Sequence, residues 1–174
     1  MNNKIMDIVI IAMFSSIVFV LEQALTILPN IQLTVLLFIL YTKLLGFKKT
    51  LVIVIIHTLL DNLYMGTINP YVALPMLVAW SLIPLVITIF KKVKSKYFLI
   101  GFAFVFGFVY GWIMMVGAVL QFEINVYAYL VSDLPFEALM ALSGAFSVLI
   151  LYDPLYKFLI KQPYFENDAE KTTP

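Results

Sequence analysis

Residues 31–64 read IQLTVLLFILYTKLLGFKKTLVIVIIHTLLDNLY, two apolar runs joined by Gly46-Phe47-Lys48-Lys49. The reading of that join decides the fold. A glycine followed by two lysines interrupts the apolar pattern and predicts a tight turn, so the stretch is two helices, 31–45 and 50–64, rather than one. Residues 31–45 fall short of the ~20 residues of a straight bilayer crossing. Such a helix has to be tilted, thinned around, or shielded by its neighbours. Further apolar runs at 5–28, 71–90, 98–120 and 134–160 bring the count to six.

The cations obey the same count. All eleven are lysines. Lys4 precedes the first run; Lys43, at the end of the second, is followed by Lys48 and Lys49 before the third; Lys91, Lys92, Lys94 and Lys96 lie between the fourth and fifth; Lys157, at the end of the sixth, is followed by Lys161 and Lys171. The alternate connections carry none. Under the positive-inside rule the lysine-bearing side is cytoplasmic, which places both termini inside and requires an even number of crossings. The expected fold class is therefore an all-α integral membrane protein, one bundle of six transmembrane helices in a bacterial plasma membrane, with 162–174 as a polar cytoplasmic tail.

Composition agrees. The chain of 174 residues is 63% hydrophobic and 12% charged, too apolar for a soluble domain with a wetted surface. Six helices use about 120 residues and leave no room for a separate soluble domain. Charge is segregated by side, so the net charge of +1 carries little information and argues for no nucleic-acid partner. The absence of cysteine excludes disulfides and thiolate metal sites. The first run, Ile5 to Leu28, lacks a small-x-small cleavage site and reads as a retained helix ended by Pro29-Asn30. Gly101, Gly107, Gly111 and Gly117 predict close helix approach along the fifth run. Leu134-Pro135 suits a first helical turn and predicts the start of the sixth.

The lysine-free connections differ in kind. Residues 64–71 and 121–133 carry Tyr64, Asn69, Tyr71, Gln121, Glu123, Asn125, Tyr127, Tyr129, Ser132 and Asp133. Each tyrosine alone fits an interfacial anchor; as a group they fit an outward binding surface. Carboxylates within apolar helices cost about 2.5–3.5 kcal/mol each at the bilayer centre, so their positions are informative. Glu22, Asp61 and Glu137 all fall toward the lysine-free side. For Asp133 and Glu137 two readings fit, helix-dipole stabilisation and ligand contact. His57 and Asp61, four apart, share a helical face and fit either a proton relay or a hydrogen bond that locks packing. With Glu22, Asp61, Glu123, Asp133 and Glu137 and no lysine, the outer side repels polyanions. A neutral or cationic heterocycle stacked on tyrosine, Trp80 or Trp112 fits better.

Catalytic signatures are missing. Gly46-Phe47-Lys48-Lys49-Thr50 lacks the spacing of a phosphate loop and follows no strand, so the chain cannot hydrolyse ATP alone. A lone His57 with no second histidine at ligand spacing argues against zinc. No G-x-S-x-G occurs. We expect no enzyme, no cofactor and no resident metal. On the first helix Ala12 and Ser16 make a small-xxx-small pair on one face, a pattern that admits close approach of another helix.

Six spans with both ends inside, Ala12-xxx-Ser16, Leu28-Pro29-Asn30-Ile31-Gln32-Leu33, and Tyr129-Leu130 through Leu134-Pro135-Phe136-Glu137 together resemble the substrate-binding S component of an energy-coupling factor (ECF) vitamin transporter. The resemblance covers almost the whole chain. It implies capture of a vitamin or precursor outside the cell, docking on a transmembrane T component, energy from two cassette ATPases, and toppling in the membrane to release cargo. Ala12 and Ser16 would belong to the docking face, with serine in place of the family's second alanine. The ligand pocket would be lined from the outer ends of the fourth to sixth helices and the outer loops, with Asn62, Tyr71, Trp112, Gln121, Asn125 and Glu137 as its residues. Electrostatics argues against folate and pantothenate and leaves cobalamin, pyridoxine, a thiamin-type pyrimidine and riboflavin. A scaffold of the MreD cell-shape family, with an acidic residue after an apolar run as at Asp61, is the rival. It needs no outward polar pocket.

Overall fold

The computed structural model describes residues 3–28, 31, 33–93 and 95–165. Pro29-Asn30, Gln32, Lys94, Lys171 and the tail beyond 165, to which some expectations above refer, lie outside the described residues. Among the described residues the regular elements are all helices: α1 (Asn3–Leu25), α2 (Thr34–Tyr64), α3 (Pro70–Ile89), α4 (Lys96–Phe122) and α5 (Val126–Leu159). Four of these, all but α2, are long and apolar enough to cross a membrane.

α2 is two rods. Gly46 stands at φ 77°, ψ 176°, outside any helical region. Side chains that a straight helix would hold about 28 Å apart meet across this break: the Phe38 and His57 rings are 5.4 Å apart, centroid to centroid. The arms, 34–45 and 47–64, are therefore folded back on each other, and the bundle has six helices. The turn expected at 46–49 is present, and the Thr50 hydroxyl donates to the Gly46 carbonyl (2.9 Å) beside it.

The short first arm is about 18 Å long. Every residue from 34 to 42 is buried, so the arm is enclosed by protein on all sides, and of the three accommodations for a short run the molecule uses shielding by neighbours. α2 packs on α1, α3 and α5, and α4 packs on α3 and α5. The core centres on Trp80, fully buried, against Phe38, Phe106 and Tyr110. Glycines set the α4 contacts. A Cβ on Gly107 would collide with the Ala141 backbone, one on Gly111 with Glu137, and one on Gly117 with the Tyr71 carbonyl, whereas Gly101 meets open space and makes no helix contact.

One boundary is corrected. The last helix begins at Val126, not near Leu134, because the Asn125 side chain accepts a hydrogen bond from the Ala128 amide (3.1 Å) and caps it there. Pro135 lies inside the helix. α4 meanwhile runs to Phe122 and is ended by Glu123 in the left-handed region, φ 52°. The outer connection expected at 121–133 shrinks to residues 123–125.

The bundle is polar end to end. At one end Lys43 and Lys91 flank a cleft beside Gly46, Lys96 pairs with Asp153, and Lys49 bonds Asp7 (2.9 Å) and Tyr164 (2.7 Å). Burial and the bond to Asp7 raise the Tyr164 hydroxyl above its ordinary range despite Lys49, so it stays protonated and donates to Asp7. The expected polar tail is thus tied down at its start: 163–165 form a helical turn, and Phe165 is buried against Phe14.

Candidate functional site

At the opposite end, three helical rods converge on a buried polar cluster. His57 and Asp61 occupy one face of the second arm of α2, 0% and 1% exposed. Glu22 reaches them from α1. His57 Nε2 lies 3.2 Å from Glu22 Oε2 and 3.3 Å from Asp61 Oδ2. Neither imidazole nitrogen is aligned for a hydrogen bond to any described group, and Asp61 Oδ2 likewise lacks one. The locking His–Asp hydrogen bond considered from the i, i+4 spacing is therefore not the arrangement found.

The carboxylates are held from outside the triad. Thr34, the first residue of α2, donates through its hydroxyl to Glu22 Oε2 (2.9 Å), and the Gln23 amide donates to Asp61 Oδ1 (3.3 Å). The imidazole is edge-on to Phe38 and to Trp80, at ring separations of 5.4 and 5.9 Å. Trp80 in turn lies 4.7 Å from the Tyr110 ring. Two carboxylates and a histidine under an aromatic floor form a site for positive charge, whose most exposed member is the Glu22 side chain at 22%.

The residues expected to bind solute are scattered around this cluster. Asn62 is buried beside it, but its amide donates to the Thr58 carbonyl (2.9 Å) and faces Met76 sulfur. Tyr71 and Trp112 line an open, apolar groove of about 710 Å³ between α3 and α4. With both half exposed and Leu74, Val78, Val116 and Leu120 more so, the groove faces outward from the bundle. Gln121 accepts from the Asn69 amide (3.0 Å), joining the end of α4 to the start of α3. Asn125 is spent on its capping bond. Glu137 is buried on α5 against Gly111 and beside the Trp112 indole. Of the six, Tyr71 and Trp112 share the groove, Glu137 adjoins Trp112, and Gln121 is joined through Asn69 to the Tyr71 amide.

Ala12 and Ser16 are exposed on α1, as are Ile5, Ile8, Val9, Met13 and Val20 along the same side. The Ser16 hydroxyl donates to the Ala12 carbonyl (2.9 Å), so this face presents small, saturated surface. The sequence reading paired His57 with Asp61 but missed the convergence of Glu22 and Thr34 on them. Their common depth was the available signal.

No protein-family model matches the chain, and no curated protein or solved structure shows significant similarity to it.

Proposed function

We propose that the protein is the substrate-binding S component of an ECF-type importer in a bacterial plasma membrane, with six crossings and both termini cytoplasmic. It captures a neutral or cationic vitamin or precursor from outside and delivers it inward on a T component and two cassette ATPases. The observation that carries this reading is the polarity of the bundle. Lysines gather at one end, while the other holds a buried histidine–carboxylate cluster walled by Trp80 and Tyr110. Burying such groups in an apolar bundle is costly without a role for them. A scaffold has no use for that cluster, whereas a solute-binding protein needs inward-facing polar groups on an aromatic support. The cargo classes that agree with an acidic outer end are cobalamin, pyridoxine, a thiamin-type pyrimidine and riboflavin.

The exposed α1 face supplies the docking surface. Ala12 and Ser16 leave room for a partner helix to approach closely, and α1 packs chiefly on α2, so its outer side is free for another protein. Ser16→Trp fills that space without touching the core. The variant is expected to keep wild-type thermal stability and to lose co-purification with the T component and ATPases.

Native mass spectrometry of the detergent-purified chain against a panel of vitamins and precursors tests the cargo. A retained adduct of one compound, weakened by Trp80→Phe or Tyr110→Phe in the wall of the buried cluster, supports the importer. A folded protein that retains nothing across the panel turns the reading toward an MreD-like scaffold.

A further inference from the structure

We propose that Glu22, His57 and Asp61 bind a single divalent first-row transition-metal ion. The inference stands on these three side chains and does not require the transport reading.

Geometry is the first argument. Donors about 2.1–2.2 Å from an ion, and at right angles about it, lie about 3.0–3.1 Å from one another. The 3.2 and 3.3 Å separations of His57 Nε2 from the two carboxylate oxygens match that spacing. In such an arrangement the nitrogen lone pair points at the ion, and each oxygen lies about 45° off that axis. The donors are then in near contact without hydrogen-bond alignment, which is the relation His57 has to both Glu22 and Asp61. An imidazolium serving as counter-charge would instead aim its N–H at one carboxylate, because the charge-assisted bond is strong and directional. The three donor atoms all lie within 4.8 Å of one another, close enough to share one ion.

The surrounding groups fit as well. Ligating carboxylates are ordinarily hydrogen-bonded on their outer side. Here Gln23 holds Asp61 by Oδ1 while Oδ2 turns toward His57, and the Thr34 hydroxyl donates to Glu22 Oε2, the oxygen that itself faces His57 and keeps a second lone pair for the ion. Phe38 and Trp80 fix the plane of the imidazole. Two carboxylates balance a dication and remove the cost of burying like charges together. One imidazole with two carboxylates suits Zn²⁺, Mn²⁺, Fe²⁺ or Co²⁺; the nitrogen disfavours Ca²⁺ and Mg²⁺, and without thiolate there is no preference for Cu⁺. The ion enters past Glu22, the most exposed of the three.

The test uses the full-length chain in detergent, stripped with EDTA. Zn²⁺ titrated by calorimetry is expected to bind at one ion per chain. His57→Gln and Asp61→Asn are each expected to weaken it about tenfold or more, the size of effect seen even for outer-layer partners, and Glu123→Gln, altering an exposed carboxylate that is not one of the three, to leave it unchanged. Because a buried-site variant can fail to fold, the wild type is also loaded with Mn²⁺ and read by pulsed electron paramagnetic resonance. Coupling to an imidazole nitrogen is the expected result. Folded wild-type protein that takes up no ion, Mn²⁺ without nitrogen coupling, or Zn²⁺ affinity equal in all three variants overturns the proposal.

Discussion

Gly101 and Gly107 sit six residues apart on α4 and have opposite surroundings. A Cβ on Gly107 runs into the backbone of Ala141, which cannot move without shifting α5, whereas one on Gly101 meets nothing within 4 Å. Gly107→Ala is therefore expected to cost about 1–3 kcal/mol through overpacking. Gly101→Ala should stay within about 0.5 kcal/mol of wild type, as an open surface position does. Thermal unfolding in detergent, followed by tryptophan fluorescence, separates the two. The sequence marked all four glycines of this helix as small residues, and three are contacts. Which one is not depends on the rotation of α4 against its neighbours, a tertiary quantity. Asn125 shows the same limit. Its amide looks like a ligand group in the sequence, but a position immediately before a helix turns it inward to cap the backbone.

Among the elements, α2 was the most legible. A glycine at the centre of a lysine-rich break announced a reversal, and Gly46 adopts a positive φ that other residues reach only with strain. Space does not restrict it, since a Cβ there meets nothing within 4 Å. Gly46→Ala should then cost about 1–3 kcal/mol through backbone strain alone, read as a lowered melting temperature with helix content unchanged. A melting temperature equal to wild type would mean that the turn tolerates an L side chain. The start of α5 was misread for a reason of the same kind. Proline favours a first turn, but in a long helix packed against α4 its missing N–H is tolerated, and the capping signal at Asn125 prevailed over the proline signal at Pro135.

The whole molecule is organised by charge. Lys49 joins Asp7 near the start of α1 to Tyr164 beyond α5, tying the two ends of the described chain to the Gly46 turn. Glu22, His57, Asp61 and the Asn69–Gln121 bond gather at the far end. Under the proposed six crossings, Lys48 would face the cytoplasm and Glu123 the exterior. Because the chain has no cysteine, single replacements can be labelled without background. Lys48→Cys is expected to react with a membrane-impermeant maleimide only after the cells are opened, and Glu123→Cys in intact cells. Labelling of both from the same side would refute the six-crossing arrangement.

Hydropathy and the lysine pattern determined on their own that this is a helical bundle with polar ends, because the free energy of placing apolar and charged groups relative to a bilayer depends on composition and order along the chain. The enclosure of the short arm 34–45, the rotation of α4, and the meeting of Glu22 with His57 and Asp61 were decided only by tertiary structure. Glu22 and His57 are 35 residues apart, and nothing local dictates which faces of separate helices will turn toward each other; that follows from packing the whole bundle at once.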